Sequence, residues 1–177
     1  MKKILINIIL LITFIIIYFL HSNLFNWFKI AGVMPNVFVI FILFIGLYSN
    51  KITGITYGIL SGLLIDLFIG KKVGISAIML GLVAIIGVIF DKNFSKENRV
   101  TLIIMVVTST IAFEVGSYIL SYFIYNNYIQ IWPFIQILLI ECLYNALLTI
   151  ILYPLIQMSG NKIEEKYKGN KILTRYF

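Results

Sequence analysis

Long apolar runs alternate with short polar breaks along nearly the whole chain. The runs cover roughly 4–20, 34–49, 53–69, 73–90, 100–125 and 133–156, and the breaks lie near His21–Gly32, Ser49–Lys51, Lys71–Lys72, Asp91–Arg99 and the segment after Met158. A helix needs about 20 predominantly apolar residues to cross the hydrocarbon of a bilayer. The pattern therefore predicts an all-α integral membrane protein, a bundle of six transmembrane helices. It also divides the chain into a single membrane domain, 1–158, and a basic amphipathic tail, 159–177.

The third run carries a second periodicity. Every fourth residue from position 54 is Gly54, Gly58, Gly62, Asp66, Gly70 and Gly74. On a helix a step of four drifts by about 40°, so the row forms a slanted groove without side chains, into which a neighbouring backbone can settle. The groove is expected either to pack another helix of the bundle or to receive a partner. The fourth run answers with Ala77, Gly81, Ala84 and Gly87 at helical spacing. Asp66 at the outer end of the row is costly in an apolar run unless something pairs with it.

Other polar residues punctuate the runs. Pro35 is expected to open the second helix, where its missing N–H costs nothing, with Asn36 beside it at the outer interface. Glu114 interrupts the fifth run with Thr110 a turn before and Ser117 and Tyr118 a turn after. Glu141 interrupts the sixth, with Asn145 at i+4. Asn23–Gly32, with Phe25, Trp27 and Phe28, reads as a segment lying along the membrane surface. His21 reads as a polar residue at a helix end. Pro154 is expected to end or bend the last span, and Asn161-Lys162-Ile163-Glu164 resembles a capping box opening a short separate helix.

Composition agrees with the pattern. The 177 residues are 61% hydrophobic and 12% charged, with a mean hydropathy of +1.03, against about 25% charged residues in a soluble domain. The net charge of +7 would suggest nucleic acid if it were clustered, but it is distributed by topology. With the N-terminus inside, Lys2, Lys3, Lys51, Lys92, Lys96, Arg99, Lys162, Lys166, Lys168, Lys171 and Arg175 fall on the inner side, and Lys29, Lys71 and Lys72 on the outer. By the positive-inside rule this is expected to place both termini in the cytoplasm, with no nucleic-acid partner. The charges of Asp91–Arg99 read as ordinary solvated loop charges. The basic and aromatic tail suits an anionic inner leaflet.

Candidate chemistry is sparse. Cys142 is the only cysteine and His21 the only histidine, so neither a disulfide within the chain nor a Cys/His metal cluster can form. There is no phosphate loop, no HExxH and no nucleophile elbow. No cofactor, metal or catalytic residue is expected. Asp66, Glu114 and Glu141 have no intramembrane cation in sequence to neutralise them, so each is expected to be protonated, hydrogen-bonded, or facing a cavity or partner.

Met34-Pro35-Asn36, the row from Gly54 to Gly74 with Asp66 within it, and Phe113-Glu114-Val115 in the fifth run together resemble the rod shape-determining protein MreD family. That resemblance implies a non-enzymatic scaffold of the cell-elongation complex. It would bind an MreC-like bitopic membrane protein and connect indirectly to MreB filaments and to the RodA/penicillin-binding protein pair, supporting cell shape and lateral wall synthesis. The family's bundle is similar to the substrate-binding subunit of energy-coupling factor transporters, which supplies the rival reading, a vitamin-binding membrane subunit. Such a subunit would gather Asn36, Asp66 and Glu141 around an outer-facing cavity. It would also carry small residues four apart on the first span, and residues 4–14 here contain no Ala or Gly.

Overall fold

The computed structural model describes residues 2–69, 73–125 and 130–168, and among them the regular elements are six helices. These are α1 (Lys2–Trp27), α2 (Val37–Tyr48), α3 (Lys51–Ile69), α4 (Ile75–Asn93), α5 (Arg99–Tyr125) and α6 (Ile131–Lys168). All except α2 are long and apolar enough to cross a membrane. The chain is a helical, multi-pass membrane protein.

α2 departs from the expected second span. Its 12 residues reach about 18 Å at 1.5 Å per residue, well short of a hydrocarbon core of about 30 Å. The cause is local. Pro35 disfavours helical geometry at Met34, and Asn36, at φ −90°, caps the helix by accepting the Val39 N–H at 3.4 Å. Pro35 thus precedes the cap instead of occupying the first turn. Of Val37–Tyr48 all but Phe41 are buried, as a helix apolar on every side requires. It is the core around which the longer helices stand.

The glycine row explains how they stand so close. A Cβ built on Gly58 would lie 2.6 Å from the carbonyl oxygen of Leu80 and 3.1 Å from the Cα of Gly81, and one on Gly62 would strike the backbone of Ser76 and Ala77. Gly54 faces Gly46 of α2, with its Cβ position 3.2 Å from the Gly46 Cα. On α4, Gly87 stands against the Leu43 carbonyl at 2.7 Å, and Gly46 in turn against that of Ala84 at 2.5 Å. The backbones of α2, α3 and α4 therefore touch, and the row from Gly54 to Gly62 is filled by helices of the same chain. Gly70 lies outside the described residues. Gly74, at φ +100°, makes the left-handed residue that starts α4.

Two further differences concern helix length. α1 continues to Trp27, so Asn23 lies inside it, its side chain donating to the Phe19 carbonyl at 3.0 Å; the non-helical segment begins only at Phe28. There Ile30 and Val33 exchange backbone hydrogen bonds of 3.0 and 2.9 Å around Ala31 and Gly32. Both central residues have positive φ (50° and 81°), as in a type I′ turn. α6 in turn does not stop at Pro154, nor does a new helix open at Asn161. Its 38 residues run unbroken for about 57 Å. The proline removes one backbone bond, but packing holds the helix on both sides. Tyr153, Ile156 and Ile163 rest on the core, and Gly160 meets the Tyr48 ring so closely that a Cβ would sit 2.6 Å from it.

Charged residues at this end of α6 are not simply solvated, contrary to the loop reading. Asp91 pairs with Lys96 at 2.7 Å and Lys168 at 2.8 Å, and Lys96 with Glu164 at 2.7 Å, all with side chains 11–22% exposed. Lys168 also donates to the Leu47 carbonyl at 2.6 Å, placing a cation at the negative end of the α2 dipole. Residues 169–177 lie outside the described residues.

Candidate functional site: a carboxylate-lined cavity

At the opposite end of the bundle, where α1 and α3 finish and α4 begins, the helices line a half-open cavity of about 640 Å³. Most of the polar residues singled out in the sequence converge on it. Asn36 and Pro35 come from the segment entering α2, Asp66 from the last turns of α3, Glu114 from α5 and Glu141 from α6. His21 of α1, Ser76 of α4 and Ser117 and Ser121 of α5 complete the polar lining, with Phe38, Ile65, Leu80 and Phe113 among the apolar walls.

Asp66 is held by backbone. Its Oδ2 accepts the Gly74 N–H at 2.7 Å, so the carboxylate within the glycine row stabilises the turn that returns the chain into α4. The left-handed conformation at Gly74 presents this N–H. Asn36 is held by side chain: its own N–H donates to Asn145 Oδ1 at 2.8 Å, and Asn145 Nδ2 donates to Thr110 Oγ1 at 3.0 Å. Thr110 returns its hydroxyl proton to the Val106 carbonyl at 2.9 Å. Asn145 and Thr110 are fully buried, so this chain of bonds locks the start of α2 to α5 and α6 beneath the cavity. In hydrocarbon a side-chain bond between helices contributes about 0.6 kcal/mol on average, and breaking one so that a buried amide is orphaned costs about 1–3 kcal/mol.

Glu114 and Glu141 behave differently. Both carboxyls belong to the cavity lining beside Asn36. Glu141 is 6% exposed and its Oε1 has no partner. Ser117 Oγ and His21 Nδ1 are also buried without one. The His21 ring stands edge-on to Phe38 at 5.0 Å. No Lys or Arg lines the cavity among the described residues.

Sequence reasoning singled out Asp66, Glu114, Glu141 and Asn36 separately, gathered Asn36, Asp66 and Glu141 around a cavity only in the rival uptake reading, and set His21 aside as a helix end. The missed signal is helical spacing: His21 follows the buried Leu10 and Phe14 at i+11 and i+7, on the inward face of α1. Gly54, Gly58 and Gly62 do not reach the cavity; they lie in the dry contact with α4 and α2. Asn145 lies beneath the cavity, and Cys142 is free and partly exposed.

Fold and site together define a multi-pass membrane protein built on a short buried helix, with a polar recess at one end. The family model for the rod shape-determining protein MreD matches residues 1–162, almost the whole chain, and the chain belongs to that family. No curated protein matches it, and no solved structure does. Membership brings with it a role in rod-shape determination.

Proposed function

We propose that this chain is a non-enzymatic scaffold of the bacterial cell-elongation complex, held in the plasma membrane with both termini in the cytoplasm. It binds an MreC-like bitopic membrane protein and connects through it to MreB filaments and the RodA/penicillin-binding protein pair. The observation that carries this reading is the family match across residues 1–162. The packing supports it in one respect. With the row Gly54, Gly58 and Gly62 filled by α4 and α2, the bundle has a rigid centre, and the partner meets its outward faces. Lys162 and Lys166, in the proposed cytoplasmic tail of residues 159–177, suit contact with anionic lipid, whereas Lys168 is taken up by Asp91 and the Leu47 carbonyl.

The test is reconstitution in rod-shaped cells lacking their own family member. The chain should restore rod shape and co-purify with the MreC-type protein from solubilised membranes. Restored shape without co-purification would sink the partner assignment, and normal membrane abundance without restored shape would sink the scaffold reading. The uptake alternative has one observation in its favour: Asn36, Asp66 and Glu141 do share a cavity. In that reading the chain would mediate accumulation of a vitamin, which transport assays in the same cells would detect.

A further inference from the structure

Carboxylates in this chain fall into two sets. Asp91 and Glu164 have ammonium partners at 2.7–2.8 Å. Asp66, Glu114 and Glu141 instead line a cavity without a lysine or arginine among the described residues. Within the second set Glu141 is the most exposed energetically, being more than nine-tenths buried with Oε1 unpartnered. A buried polar atom in that condition carries its full desolvation penalty. The neighbouring Glu114 carboxyl adds repulsion unless a proton or a cation lies between them.

Two more buried acceptors without a partner, Ser117 Oγ and His21 Nδ1, belong to residues of the same lining. A primary ammonium group supplies what all three lack, a positive charge and three N–H donors. A cavity of about 640 Å³ falls within the range of roughly 300–1,000 Å³ typical of small-molecule sites. Its apolar walls can cover a hydrocarbon portion. Among the described residues no three metal-ligating side chains converge, which favours an organic cation over a metal ion.

We infer that this cavity binds the primary ammonium group of a small amphiphilic amine, with Glu141 as counter-ion and Ser117 and His21 as acceptors of its N–H groups. The ammonium belongs either to a soluble amine or to the headgroup of an aminolipid. The site goes beyond the scaffold reading and does not rest on it, because binding is measured on the purified full chain without a partner.

The experiment places the chain in nanodiscs of phosphatidylcholine, whose quaternary headgroup has no N–H, and titrates hexylammonium by calorimetry, with thermal unfolding as a second readout. Saturable binding is expected, at least tenfold weaker in Glu141→Gln and unchanged in Leu143→Ala, a position 67% exposed on the outer face of α6. Repeating the titration in phosphatidylethanolamine discs separates the sources. A weaker apparent affinity there identifies the lipid headgroup as occupant, and an unchanged one identifies a soluble amine. Should Glu141→Gln fail to fold, Ser117→Ala takes its place, with affinity expected to fall about threefold. Absence of saturable hexylammonium binding together with equal stability in the two lipids overturns the inference, as does wild-type affinity in the variant that folds.

Discussion

α3 passes through two environments within a few turns. From Gly54 to Gly62 it offers no side chains and its backbone touches α2 and α4; at Asp66, one turn further, it borders a cavity of about 640 Å³ lined with groups that can bind. One region is made by removing atoms until nothing separates the helices, and the other by gathering polar side chains around a cavity. In a membrane, where apolar burial does not drive helices together, close backbone approach supplies the dispersion contacts that do. The first region can therefore secure the bundle while the second carries unpaired polar groups.

Adding volume should break the first region and leave the second standing. Gly58→Leu is expected to have the largest effect of any single substitution. Its Cβ alone would lie 2.6 Å from a carbonyl oxygen and 2.9 Å from its carbon, both fixed in the α4 backbone, so the clash cannot be relieved by a rotamer change. Overpacking of this kind costs roughly 3 kcal/mol or more. The expected outcome is loss of a monodisperse species in detergent chromatography, and a fully folded Gly58→Leu protein would show that the helices are less closely bound than the geometry requires.

The next test sets two carboxylates against each other. Asp91→Ala leaves Lys96 and Lys168 facing each other, 13% and 11% exposed, with Glu164 as the remaining acid. Removing one partner of such a buried cluster costs roughly 3 kcal/mol, read as a lowered thermal midpoint. Glu141→Gln, at a site without Lys or Arg among the described residues, keeps the shape and removes a repulsion with Glu114. Its midpoint should stay within the range of about 0.5 kcal/mol typical of neutral substitutions. If the two variants lost equal stability, the distinction between a satisfied and an unsatisfied set would fall.

How far the sequence disclosed these regions follows from the physics of each. Apolar runs and the spacing of Gly54, Gly58 and Gly62 declare helices and close packing, because both depend on local periodicity. That α4 and α2, and not a partner, fill the row depends on tertiary arrangement and has no local signature. The short reach of α2 was legible in part: Pro35 was visible, but its effect on Met34 and the cap at Asn36 set the boundary three residues later than the apolar run did. Continuity of α6 through Pro154 was hidden because the compensation comes from Tyr48, Asp91 and Lys96, all distant in sequence. For the cavity, the carboxylates were conspicuous in an apolar background. His21 and Ser121 were not, since one stood at the end of a long run and a lone serine in an apolar helix has no local signature.

The smallest expected effect is the most discriminating. Ser117 Oγ is buried without a hydrogen-bond partner on the wall of the cavity, so Ser117→Ala removes no bond from the folded chain and relieves an unsatisfied group. Alanine also favours the helix slightly over serine, by a few tenths of a kcal/mol. The thermal midpoint without ligand should therefore be unchanged or slightly raised, unlike that of an inward-facing serine that ties helices together. A fall of more than about 1 kcal/mol, the contribution of an ordinary hydrogen bond, would mean that the hydroxyl already has a partner within the bundle. The cavity would then be another closed polar contact like that at Asn145, and the contrast along α3 would reduce to one of packing density.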